Sequence, residues 1–164
     1  MILLKNILVA TDFGEASDAA LSYGRDLART YGATLHVLHV AENLVVRYAN
    51  DEALALLPQL QTDVDEAARK RMAELVTHED RTMLRAKPVV LEAFGPAEAI
   101  VEYAKTYNVD IIVMGTHGRG GFAHLLMGSV AERVVRTAPC PVLTVRHPEH
   151  EFIVPDALVA VARG

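Results

Sequence analysis

Two apolar rhythms alternate along this chain. Short, mostly apolar runs occur at Ile7–Ala10, Leu35–Val40, Pro88–Leu91, Ile111–Met114 and Val142–Val145. Strands buried on both faces of a parallel sheet read this way. Between them, apolar positions recur at helical spacing. From about Glu15 to Tyr31, Ala20, Tyr23, Leu27 and Tyr31 share one face, and Gly32 is placed to close the helix. A second helix is expected from a cap at Thr62 or Asp63 to about Leu84, with Val64, Ala68, Met72, Leu75 and Val76 inward and Asp63-x-x-Glu66 at cap-to-N3 spacing. Gly95-Pro96 opens a third, with Ala97, Ile100, Val101, Ala104 and Tyr107 inward and Asn108 at its end. The last begins at Ser129, where Ser129-x-x-Glu132 has capping-box spacing and Val130, Val134 and Val135 mark the period.

Five strands alternating with helices predict an α/β fold, an open five-stranded parallel sheet with helices on both faces. Pro88 suits the start of a strand or an edge rather than a centre. His36 and His39 alternate across one strand, so they point to opposite faces and make no ligand pair. Residues 41–62, broken by Pro58, read as either a short helix or a flap. One domain is expected over residues 1–146. The apolar tail 147–164 is expected to pack on it or on a partner chain.

Composition narrows the class of function. With 51% apolar and 23% charged residues, the chain is a globular protein rather than a disordered one. A net charge of −5 and the absence of Trp argue against nucleic-acid binding. No apolar stretch is long enough for a membrane span, and a cytoplasmic location is the expectation. Cys140 is the single cysteine, so no internal disulfide forms, and its place between Pro139 and Pro141 reads as a packing position.

The candidate chemistry lies in Asp110–Ser129. A buried strand ends at Gly115, glycines follow at Gly118, Gly120, Gly121 and Gly128, and Ser129 opens a helix. Backbone N–H groups in such a loop can cradle phosphate, and a helix N-terminus adds donors and a favourable dipole. The same pattern is also that of a structural loop leading into a capped helix. Walker A is absent, because no lysine precedes a Ser or Thr at the required spacing. Gly118-x-Gly120-x-x-Ala123 matches the dinucleotide fingerprint only formally, since it follows the fourth strand. Gly-x-Ser-x-Gly, Cys-x-x-Cys and His-Glu-x-x-His are absent as well, and no catalytic or metal-ligating residue is assigned. If strand order reverses between the first and fourth strands, Asp12 faces Gly115 and Gly118 across one crevice. There its carboxylate can accept from ribose hydroxyls or help hold a divalent ion, with His117 and Arg119 as nearby cations. As an alternative, Asp12 is a turn residue before the first helix.

Gly115-x-x-Gly118, nine residues, then Gly128-Ser129 resembles the nucleotide-binding pattern of the universal stress protein family. NILVATDFGEAS, VDIIVMGTHGRGG and GSVAERVVRTAPCPVLTV stand around it in family order, so the resemblance runs from about Lys5 to Arg146. It implies an adenine nucleotide alpha-hydrolase-like sheet of strand order 3-2-1-4-5, and a homodimer through the strand Val142–Val145. It also implies bound ATP or AMP with Mg²⁺ or Mn²⁺. By motif, Asp12 would meet the sugar or the metal and phosphate region, Val40 the adenine, and Gly115 the ribose. Gly118, Gly128, Ser129 and Val130 would donate to phosphates beside Arg119, with Ala10, Thr11 and Met114 lining the crevice. The implied role is regulatory. The alternatives are a slow metal-dependent ATP hydrolase and a nucleotide-independent interaction module.

Overall fold

The computed structural model describes residues 1–44, 57–116 and 127–146. Its strands are β1 (Asn6–Ala10), β2 (Thr34–Glu42), β3 (Lys87–Ala93), β4 (Ile111–Gly115) and β5 (Val142–Val145). Its helices are α1 (Glu15–Tyr31), α2 (Leu57–Leu75), α3 (His78–Met83), α4 (Pro96–Thr106) and α5 (Ser129–Thr137). The strands form one sheet in the order β3-β2-β1-β4-β5, parallel at every pairing. This is the expected fold. Among the described residues no helix is long and apolar enough to cross a membrane.

Alternation along the strands divides the core into two layers. Ile7, Val9, Leu35, Val37 and Val113 pack against α1, α2 and α3, while Leu8, Leu38, Ile112 and Met114 pack against α4 and α5. Ile7, Leu8 and Val9 have no exposed surface, as befits a central strand paired on both edges. β3 is an edge strand and Pro88 is its second residue, where a missing N–H is tolerated.

Several helical expectations need correction. In α1 Ala20 is buried and Tyr23 and Leu27 pack half-buried against the core as expected, but Ser17, Leu21, Gly24 and Ala28 are buried beside them and Tyr31 is exposed. A stripe of small residues lies inward because α1 packs closely on the sheet. α1 ends as expected at Gly32, which adopts φ 63°. The segment expected to run from residue 62 to 84 begins earlier and is two helices. α2 already includes Leu57, and Pro58 lies in its first turn, where proline costs no hydrogen bond. Asp63 is therefore interior and accepts from Gln59 rather than capping, and Val64 is exposed. Gln61 accepts from Leu44 N at 2.8 Å, tying the end of β2 to α2.

The break after Leu75 has a local cause. Thr77 Oγ1 accepts from Asp80 N at 3.1 Å and Asp80 Oδ2 accepts from Thr77 N at 2.9 Å, a reciprocal cap that starts α3. Arg25 on α1 donates to both Asp80 carboxylate oxygens at 2.9 and 2.7 Å and to Leu75 O at 2.9 Å. It thus occupies the carbonyl that α2 leaves open. Burial works to raise the Asp80 pKa, but the Arg25 and Thr77 bonds outweigh it and hold the carboxyl below its ordinary range. In α4 the aromatic residue turned inward is Tyr103. Tyr107 caps the helix and is exposed, and Asn108 follows at φ 48°.

Tyr103 covers His36, which is 1% exposed. Its Nδ1 and the Tyr103 hydroxyl are 2.8 Å apart, and its Nε2 has no hydrogen-bond partner. The tautomer that leaves least unsatisfied carries its proton on Nδ1, so that a lone pair rather than an N–H is orphaned. Burial, with Lys87 beside it, lowers the His36 pKa to about 4 from 6.5.

Two consequences can be measured. The folded pKa of His36 lies below its unfolded value, so its contribution is complete above pH 6.5 and is lost as pH falls through about 4. Unfolding free energy from urea titrations should fall across that window by up to about 3 kcal/mol. His36→Gln, which keeps a partner for Tyr103, should flatten the slope. An unchanged slope would assign the acid lability to other groups. Separately, a Cβ on Gly24 would overlap the Cγ2 methyl of fully buried Val9. Gly24→Ala should therefore lower the calorimetric Tm, by about 1–3 kcal/mol of stability, although alanine is the better helix former. Adding Val9→Ala should cost less in that background than in the wild type.

Candidate functional site

β1 is the pivot of the sheet. The chain leaves it through α1 toward β2 on one side, whereas β4 on its other side is reached through α4, and α1 and α4 cover opposite faces. The carboxyl ends of β1 and β4 therefore open a crevice where strand order reverses, the position at which parallel sheets hold ligands.

One wall of the crevice is the turn from Thr11 to Gly14. Thr11 N donates to Leu38 O at 2.9 Å, which continues the β1–β2 ladder by one residue. Its side chain turns toward α1, where Ser17 is buried. Ser17 Oγ donates to Gly14 O at 2.8 Å and accepts from Gly14 N at 3.1 Å. With that proton committed, the 3.1 Å contact between the two hydroxyls has Thr11 as donor. Phe13 N donates to Thr11 Oγ1 at 3.0 Å, and Gly14 N also reaches Asp12 Oδ1 at 3.0 Å. Asp12 takes the alternative expected of it, that of a turn residue. Its carboxylate closes an Asx turn, and it stands half-buried at the carboxyl end of the central strand.

The other wall is built from β4 and the start of α5. Thr116 N donates to Val145 O at 2.8 Å and Gly128 N donates to Thr116 O at 2.6 Å. These two bonds bring the N-terminus of α5 back to the end of the strand that left for the loop. Gly128 is the N-cap and Ser129 the first helical residue, exposed, with no side-chain cap bond. The expected Ser129-Glu132 capping box is not formed, and Glu132 instead pairs with Arg136 at 2.9 Å. In Gly115, the missing side chain serves helix packing. A Cβ there would come within 2.8 Å of Ala16 Cβ and 2.9 Å of its carbonyl carbon.

The candidate residues divide by face. Ala10 and Met114 are cross-strand partners, and with Val40 and Val130 their side chains belong to the apolar layer under α4 and α5. Thr11 and Gly115 lie on the α1 side. Asp12 lies just past the end of β1, and Gly128 and Ser129 are tied through Thr116 O to the end of β4, the strand paired with it. Gly118 and Arg119, with His117 and His124, lie outside the described residues, as does the tail 147–164. Burial, reinforced by Asp110, raises the Cys140 pKa, in keeping with a packing thiol.

Sequence reasoning missed four residues around the turn. Ser17 orders it from below, and the Phe13, His39 and Arg71 side chains cluster beside it. The Phe13 and His39 ring centroids are 4.3 Å apart, and Arg71 Cζ is 4.8 Å from the Phe13 centroid. Only Ser17, three residues after the Gly14 cap, had a local signal. The other three are distant in sequence and meet through the β1–β2 pairing and the seating of α2.

Comparison with known proteins agrees with this architecture. The family model "Universal stress protein family" matches residues 4–146. Universal stress protein MJ0531 of Methanocaldococcus jannaschii is 31% identical over 150 residues, covering 91% of this chain and 86% of that protein. Among solved structures, MJ0577 of the same organism superposes with a TM-score of 0.79 at 27% identity, over 91% of this chain and all of its own. Two more distant structures share the fold, at 20% and 21% identity and TM-scores of 0.56 and 0.51. One is a universal stress protein in complex with cAMP, the other the Archaeoglobus fulgidus protein in complex with dAMP. On the matched domain, the sheet order and these relatives, the chain belongs to the universal stress protein family.

Proposed function

We propose that this protein binds an adenine nucleotide, ATP or AMP, in the crevice between β1 and β4 and acts as a regulatory nucleotide-binding protein. The observation that carries the reading is the Thr116 O to Gly128 N bond, which returns the α5 N-terminus to the end of β4 opposite Asp12. Exposed N–H groups at a helix start favour phosphate, and a carboxylate across the crevice favours ribose hydroxyls. The glycine pattern Gly115-x-x-Gly118, nine residues, then Gly128-Ser129 supports the same ligand. So do two structures of the same fold described with cAMP and dAMP.

In this reading Gly118, Ser129, Val130 and Arg119 attend the phosphates, while Gly128, expected as a donor, has its N–H taken by Thr116 O and instead seats the helix start. Asp12 and Gly115 attend the sugar and Val40 the base, with Ala10, Thr11 and Met114 behind them. The described residues do not by themselves assemble three or more His, Cys, Asp or Glu side chains around a cation. Mg²⁺ or Mn²⁺ would arrive with the nucleotide, its phosphates supplying oxygens and Asp12 a side-chain ligand. β5 closes one edge of the sheet, and a second copy of the chain is the proposed occupant of its open side.

Calorimetric titration of nucleotide-stripped protein with ATP and AMP, with and without Mg²⁺, tests the site. Saturable binding is expected, weakened at least about tenfold in Gly118→Val because a branched side chain would fill the phosphate approach. Gly115→Ala should lower both affinity and Tm, since its Cβ would displace the first turn of α1. Absence of saturable binding to either nucleotide would sink the reading.

A further inference from the structure

Among the described residues Phe13 is one of three non-glycine residues at positive φ, at 61°, a conformation disfavoured for a residue carrying a Cβ. Several contacts hold it there. Its N–H donates to Thr11 Oγ1 at 3.0 Å. Its ring lies 4.3 Å from the His39 ring, with 35° between the planes. Arg71, reaching from α2, places Cζ 4.8 Å from the ring centroid and donates from Nη2 to Phe13 O at 3.4 Å. His39 is itself tied to the turn, with Nδ1 2.8 Å from Thr11 O. A carbonyl only accepts, so Nδ1 carries the proton in this contact.

The left-handed backbone at Phe13 has a consequence one residue on each side. It aims Gly14 N back at Asp12 Oδ1, 3.0 Å away, and so fixes the direction of the carboxylate. Were Phe13 to relax to an ordinary negative φ, the Gly14 amide would swing away and the Asp12 carboxylate would lose that bond. The cation over the ring and the bond to the carbonyl both oppose that relaxation.

The geometry points to Phe13 and Arg71 as positioning residues that act on the nucleotide through Asp12, a deeper form of the reading proposed above and dependent on it. α2 thereby helps set the sugar-side wall of the crevice. The ligand remains an adenine nucleotide. The new element is that its affinity is set in part by an arginine on a different helix.

The test is a thermodynamic cycle on the full chain, with Kd for ATP measured by calorimetry in the presence of Mg²⁺. Phe13→Leu and Arg71→Gln should each raise Kd about tenfold. Arg71→Lys, which keeps a cation over the ring, should recover most of that loss. In an Asp12→Ala background, Phe13→Leu and Arg71→Gln should change Kd by less than about twofold, because the group they position is gone. Equal losses in both backgrounds would overturn the inference and leave the pair as a fold element. A wild-type protein that binds no ATP would overturn the nucleotide reading itself. If Asp12→Ala abolishes measurable binding, amide exchange at Gly14 replaces the cycle. Phe13→Leu and Arg71→Gln should speed it as Asp12→Ala does, and an unchanged Gly14 rate would overturn the inference.

Discussion

The rest of the molecule depends on β1 being paired along both edges by parallel neighbours. A strand in that position has no route to water for its backbone or for either row of side chains. Ile7, Leu8 and Val9 are fully buried, and every N–H and C=O must find a partner in β2 or β4. Parallel pairing forbids a tight hairpin, so each connection must cross a face of the sheet, and the two faces acquire separate helical layers. Where the chain leaves the centre in opposite directions, the strand ends cannot be covered by a crossover. The crevice between Asp12 and Gly128 is a product of that topology before any ligand is considered.

Much of this was legible in the chain because buried strands leave a strong mark. Ile111–Met114 and Val142–Val145 appear as apolar runs and are found as strands within a residue. α1 has the bounds that its punctuation predicts, with Gly32 in the left-handed conformation that ends a helix. The errors arose where two local signals competed. Asp63-x-x-Glu66 and Thr77-x-x-Asp80 share the same spacing logic, and only the second is a cap. Asp63 fails as a cap because α2 already starts at Leu57, whereas Asp80 is held by Arg25, a contact across 55 residues that no local window contains. Likewise Ser129-x-x-Glu132 has the spacing of a capping box. Gly128, held by Thr116 O, takes the cap position instead.

Of the candidate site, the turn at Asp12 and the helix start beside Gly128 could be read directly, because turns and helix starts have characteristic spellings. The supports of Asp12 could not. Ser17, Phe13, His39 and Arg71 come from α1, the turn itself, β2 and α2, and only Ser17, at capping-box spacing from Gly14, has a motif. Gly115 teaches a related point. A glycine in a binding pattern reads as an approach for ligand, yet its open face here is filled by Ala16 at 2.8 Å. The closeness of α1 to the end of β4, which defines the crevice wall, is itself a reason for glycine at that position.

The two backbone bonds at Thr116 separate folding from variation. With Thr116 N on Val145 O and Gly128 N on Thr116 O, both ends of the glycine-rich excursion are anchored to the β4–β5 frame. Lengthening a loop between fixed ends is thermodynamically mild, about 0.6 kcal/mol for each doubling. The chain between those anchors can therefore drift in sequence and length while the sheet, the α5 N-terminus and the Asp12 turn keep their places. Changes confined to that one short segment leave the frame around it intact.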